Sequence, residues 1–210
     1  MNTRVYAIGF WWGLIAFIST MAFVIVQLLQ LIGVLHFPWD EILIYGTSLC
    51  IVIPFVLAML ALHYITPADK KFWSHGALIF STLYAVFVTA NYVVQLATVI
   101  PAKLKGAVEE IRILEQTPHS LFWDFDALGY IFMGFAMLIA IPVFEKHGFS
   151  KWVKISFLAN AIVTPLIAFV YFYPSFSETL LMIGFPWAIT APLAMLMLAI
   201  LFKKERLSSR

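Results

Sequence analysis

The sequence predicts an all-α fold: a polytopic membrane protein built as a six-transmembrane-helix bundle, with a short extracytoplasmic amphipathic helix between the third and fourth spans. Three observations lead there. The 210 residues are 63% hydrophobic and only 11% charged, far from the make-up of a soluble domain. Six apolar runs approach or exceed the roughly 20 residues a helix needs to cross a hydrocarbon layer about 30 Å thick. The runs are continuous, whereas a spanning β-barrel would alternate apolar and polar residues over about ten positions.

The runs extend from Ile8 to Leu35, Ile42 to Leu62, Ala77 to Ile100, Ala127 to Phe144, Val153 to Phe172, and Leu180 to Phe202. Between them lie His36-Phe-Pro-Trp-Asp-Glu41, Thr66-Pro-Ala-Asp-Lys-Lys71, the segment from Pro101 to Asp126, Glu145-Lys-His-Gly-Phe-Ser-Lys151, and Tyr173-Pro-Ser-Phe-Ser-Glu178. Proline, glycine and charge coincide at most of these breaks, as turns at a membrane surface require. The first run follows a basic start but is too long for a signal-peptide core, so it reads as a retained anchor. One transmembrane domain, residues 1–210, accounts for the whole sequence, and no soluble domain is expected.

Orientation follows from lysine and arginine. Arg4, Lys70, Lys71, Lys146, Lys151, Lys154, Lys203, Lys204, Arg206 and Arg210 fall at one face, and Lys103, Lys105 and Arg112 at the other. Ten against three places both termini in the cytoplasm of a multi-pass cell-membrane protein. Eight of the eleven acidic residues collect on the opposite side.

Between Pro101 and Pro118, Leu104, Val108, Ile111 and Leu114 recur at helical spacing among charged residues, which predicts the amphipathic surface helix. It reads as an interfacial connector or as a lid. Phe37-Pro-Trp-Asp40, Phe122-Trp-Asp124 and Phe185-Pro-Trp187 precede or open the even-numbered spans, a pattern compatible with a threefold hairpin repeat.

Polar residues inside the runs carry the functional expectation. Asn91, Gln95 and Thr98 are spaced to share one face of the third span, continued by Tyr84 and Val88. Thr20, Phe23, Gln27 and Gln30 repeat the device in the first span, and Ser156, Asn160 and Thr164 in the fifth. A carboxamide exposed to lipid leaves costly unmet hydrogen bonds, so these stripes must face protein or water. Gln27, Gln30, Asn91, Gln95 and Asp126 are therefore expected to line an outward-facing polar cavity for a small amphiphile, lipid headgroup or cation. Tyr45, Thr98, His119, Asp124, Tyr130 and Asn160 are its accessory candidates. Asp124 or Asp126 also fits an N-terminal cap of the fourth helix. The rival expectation is that the amides serve as interhelical glue in a structural or accessory subunit, joined to a second copy or to another membrane protein.

Other chemistry lacks its residues. The five histidines lie near span ends, and no HExxH pair or cysteine cluster suggests a metal or an iron–sulfur centre. Cys50 is the only cysteine, so no intramolecular disulfide can form. No charged residue falls at the middle of a span, which argues against a proton relay or a voltage sensor. No catalytic residue, metal or cofactor is assigned, and nucleic acid is not an expected partner. A lipid-modifying enzyme would have only His119, Asp124 and Asp126 as an acid and base set.

Overall fold

A computed structural model of the chain describes residues 2–208; Met1, Ser209 and Arg210, the last counted above with the basic face, lie outside the described residues. Among these, six helices are long and apolar enough to cross a membrane, the form of a multi-pass membrane protein. They are α1 (Asn2–Leu31), α2 (Trp39–Ile65), α3 (Lys71–Val94), α4 (Leu121–Ala140), α5 (Ser150–Phe172) and α6 (Trp187–Ser208). A π-helical turn, Gln95–Val99, and one more turn, Ile100–Leu104, prolong α3.

The apolar runs mark the middles of these helices, and the ends follow local signals. At the end of α1, Gly33 takes a φ of +72°; its N–H reaches the Gln30 carbonyl and the Val34 N–H reaches that of Leu29, both at 2.9 Å. That is a Schellman stop, which favours glycine because a Cβ is strained at positive φ. Gly106, at +78°, repeats it: the Gly106 and Ala107 N–H groups return to Lys103 and Ala102. The helical rod of α3 therefore ends before the predicted surface helix can start.

Two expectations are corrected here. Residues 101–118 do not form one amphipathic helix: 101–104 belong to the α3 rod, Gly106 breaks the path, and only Val108–Ile111 makes a further turn. The sixth span does not run unbroken from Leu180, because Pro186 lacks the N–H that a continuing helix would need. A separate turn, Glu178–Leu181, is capped by Ser177, whose hydroxyl accepts from the Leu180 N–H at 3.1 Å, and α6 starts at Trp187.

The helices form a ring in which each packs on its neighbours in sequence and α1 closes against α6. Glycine permits the closest approaches. A Cβ on Gly9 would stand 2.6 Å from the Phe202 ring, one on Gly129 would stand 2.5 Å from Val88 Cγ2, and one on Gly134 would collide with Thr164. With no hydrophobic drive between helices in lipid, such small-residue contacts are what bring backbones close enough for dispersion to act.

Along the axis the ring has two unlike halves. Toward the end that carries Lys70, Lys146 and Lys203, the side chains of Met59, Leu62, Met137, Phe157, Leu198 and Phe202 fill the interior and are essentially fully buried. Turns at this end are cross-tied: Lys70 pairs with Glu145, and the Lys204 ammonium lies 4.3 Å from the Phe149 ring centre. At the other end the same six walls surround open space.

Candidate functional site

A cavity of about 780 Å³ occupies that end, and all six helices contribute to its walls. Its interior carries Asp126, Tyr92, Tyr130 and Trp187, while Leu28, Leu31, Met182 and Phe185 form an exposed apolar rim between the end of α1 and the α5–α6 connection. A recess of about 20 Å³ continues it inward, again touched by Asp126, Tyr92, Tyr130 and Trp187 and also reaching Tyr84 and Met133.

Asp126 is the chemical centre. It lies on the second turn of α4 and is only 5% exposed. The Tyr92 hydroxyl donates to Oδ1 at 2.5 Å, and the Tyr171 hydroxyl donates to Oδ2. Among the described residues, no lysine, arginine or histidine pairs with this carboxyl group. Each tyrosine is fixed in turn: Tyr92 stacks on Tyr45 at 5.4 Å, and Tyr171 lies 4.4 Å from the ring of Trp123, whose indole N–H donates to the Tyr171 carbonyl at 3.2 Å. Tyr130 meets Trp187 edge to face at 4.9 Å, and Trp187 meets Phe23 likewise at 5.8 Å.

The predicted site residues divide into three groups. Gln27, Gln30, Asp126, Tyr45 and Tyr130 line the cavity. Gln27 donates to Gln30 Oε1 and Gln30 to Asp40 Oδ2, each at 3.0 Å, so the glutamines also tie α1 to α2 beside the opening. Asn91 and Gln95 belong to a second group, fully buried behind the wall. Asn91 donates to Gln116 Oε1 at 2.9 Å; Gln95 donates to the Leu114 carbonyl at 2.8 Å and accepts from the Gln116 N–H at 3.2 Å. These two amides bind the connection between α3 and α4, and Gln116 presents that connection to the cavity.

The third group lies elsewhere. Asn160 accepts from the Thr190 hydroxyl at 3.0 Å, an α5–α6 bond of the glue type. Thr98 is exposed instead of sharing the face of Asn91 and Gln95, because the π turn rotates the chain less per residue than an α-helix and carries Thr98 off the stripe. His119 is exposed at a φ of +65°, and Asp124 is exposed in the first turn of α4. The cap itself is neither aspartate: Ser120 accepts from the Trp123 N–H at 3.2 Å. Hydroxyls of the predicted stripes are mostly satisfied within their own helices, Thr20 on the Ala16 carbonyl at 2.7 Å and Ser156 on that of Val153 at 2.9 Å.

Sequence reasoning passed over Tyr92, Tyr171, Trp123, Trp187 and Gln116. A signal existed for two of them. Tyr92 continues the Tyr84, Val88 spacing by four, and Tyr171 lies two helical turns beyond Thr164 on the fifth-span stripe. Among the described residues, no group of three or more metal-ligating side chains converges. Neither a protein-family model nor a curated protein nor a solved structure matches this chain, so its chemistry is read from the cavity alone.

Proposed function

We propose that this is a membrane protein that binds, and in a transport cycle would carry, a small amphiphile, lipid headgroup or cation taken up at the cavity end. The observation that carries the reading is the buried Asp126 carboxyl group, held by two tyrosines inside a cavity of about 780 Å³. That volume lies within the roughly 300–1,000 Å³ of small-molecule sites, which combine apolar walls with a few convergent polar groups. An ionisable side chain kept inside a membrane span is costly unless it serves a ligand or a pathway.

Orientation belongs to the same proposal. The lysine-rich end is assigned to the cytoplasm and the cavity end to the outside of the cell membrane, on the excess of basic residues near the span ends. The connection between α3 and α4, fastened by Asn91 and Gln95, is then an outer cover beside the opening. The alternative of an accessory subunit that assembles through polar stripes draws less support, because the Asn91 amide nitrogen, the Gln95 carboxamide and the Asn160 side-chain oxygen are buried and bonded within the chain, and the one Asn91 oxygen left without a partner among the described residues is itself buried.

Mass spectrometry of molecules co-purified in mild detergent, repeated on Asp126→Asn and on a cavity-filling Ala188→Trp variant, tests the reading. A species retained by the wild type and lost from both variants is the expected result. Identical small-molecule content in all three would overturn it.

A further inference from the structure

We infer that the occupant is a hydrophobic organic ammonium: one permanent or protonated nitrogen centre, an uncharged oxygen acceptor, and an alkyl or aryl tail. The inference rests on the binding reading above and narrows it.

Charge gives the first restriction. The ionisable acids that line the cavity are Glu41, Asp126 and Glu178, and among the described residues no lysine, arginine or histidine lines it. Lys103 stands beside it but is already held between Glu41 at 3.0 Å and Glu115 at 2.5 Å. An anion would have to shed its hydration with no cationic partner, and burying an unpaired charge is heavily penalised. A phosphate-bearing zwitterion meets the same objection at its phosphate, whereas a lone ammonium does not.

The aromatic surround gives the second. Tyr92, Tyr130, Tyr171 and Trp187 surround the carboxyl group from four helices, and their mutual tilted and edge-to-face contacts hold the rings apart. Rings beside a carboxylate are the surroundings in which an alkylated ammonium, too weakly hydrated to prefer water, is bound by cation–π attraction together with ion pairing. Asp126 accepts from both tyrosines and has Gln116 as a further side-chain hydrogen-bond partner, which leaves one of its four lone-pair sites to face such a cation without giving up a tyrosine bond.

Two further features specify the rest of the molecule. The Trp187 indole N–H is buried and has no acceptor among the described residues, although Trp187 lines both the cavity and its inner recess. A hydroxyl or carbonyl oxygen near the ammonium would satisfy it. The rim formed by Leu28, Leu31, Met182 and Phe185 is apolar and exposed, and gives a tail a route sideways out of the ring.

The test uses the full-length protein in nanodiscs of uncharged lipid, with octyltrimethylammonium, octyl glucoside and octyl sulfate as probes of one tail length and three charges. Tryptophan fluorescence and thermal unfolding are both read. The ammonium probe is expected to bind best, with affinity falling about 30-fold or more in Asp126→Asn, as for loss of one partner of a desolvated charge pair. A smaller, few-fold loss is expected in Trp187→Leu and in the rim variant Glu178→Gln, and these two decide the matter should Asp126→Asn not fold. Equal binding of glucoside and ammonium, unaffected by these substitutions, would overturn the ammonium class and leave an amphiphile cavity standing. Failure of all three probes to shift the wild type while Ala188→Trp behaves identically would overturn the cavity reading as well.

Discussion

The two halves of the ring are built from the same six helices, yet one is solid and the other hollow. At the lysine-rich end the axis is occupied by Met59, Met137, Phe157 and Phe202, side chains without polar tips that are free to turn inward until space is filled. At the cavity end the large residues are tyrosines and tryptophans, and three of them are tied to the wall by their polar tips: Tyr92 and Tyr171 to Asp126, Trp123 to the Tyr171 backbone. A ring held at its far end cannot swing into the axis without breaking a buried hydrogen bond. The difference teaches that a hollow is maintained here by anchoring bulky side chains outward, and not by making them small.

Truncation should expose the contrast most strongly. Phe157→Ala in the solid half removes a fully buried ring and should lower stability by about 3–5 kcal/mol, read as a large fall in the thermal midpoint in detergent. Tyr45→Ala, at the partly buried cavity wall, should cost clearly less, because it enlarges a space that already exists. Equal losses would mean that the two halves carry the fold alike.

A next effect in size comes from the helix contacts common to both halves. Gly134→Val would drive a branched side chain into Thr164 of α5, and about 1–3 kcal/mol should be lost, the usual range for overpacking. Pairing it with Thr164→Ala should restore part of that loss, since the second change removes the atoms with which the new side chain collides. Absence of any recovery would show that the α4–α5 approach is not set by this pair.

The six spans were legible because bilayer thickness imposes a length and hydrocarbon a composition, and both are local properties of sequence. Legibility failed where geometry depends on one residue's backbone. Gly106 at positive φ cut the predicted surface helix, Pro186 delayed α6, and the π turn at Gln95–Val99 displaced Thr98 from a stripe drawn at an α-helical period. Within the site, Asp126, Gln27 and Gln30 were identifiable as polar atoms that hydrocarbon would penalise, and they do line the cavity. Tyr92 and Tyr171 carried only the faint signal of their spacing on the polar stripes, and Trp187 carried none, because an aromatic residue in an apolar run is equally at home against lipid until the ring of helices turns it inward.

Asn91 and Gln95 sharpen the comparison further, since their bonds hold a connection instead of an axis. Asn91→Leu and Gln95→Leu should each cost about 0.6–2 kcal/mol, the range for interhelical amide bonds in membranes. Hydrogen exchange is the more telling measurement. Backbone amides between 105 and 120 should lose protection while those of the solid half keep theirs. Uniform loss throughout would assign the amides to the core of the fold.

The smallest effect belongs to the lysine-rich end. Hydrogen bonding and attraction from Lys70 hold the Glu145 carboxyl below its ordinary range, and Glu145 itself is exposed. A carboxyl lowered in the folded state stabilises fully above its unfolded value of 4.5 and loses that contribution as pH falls through the lower folded value. Wild type and Lys70→Gln should therefore differ in thermal midpoint at neutral pH and converge in acid, by an amount kept small by solvent screening. The cavity's ammonium affinity, measured in the same samples at neutral pH, should not change, since the ion pair lies at the opposite end of the ring from Asp126. A parallel change in that affinity would mean that the solid half transmits strain to the hollow one, and that the two halves are not the independent structures their packing implies.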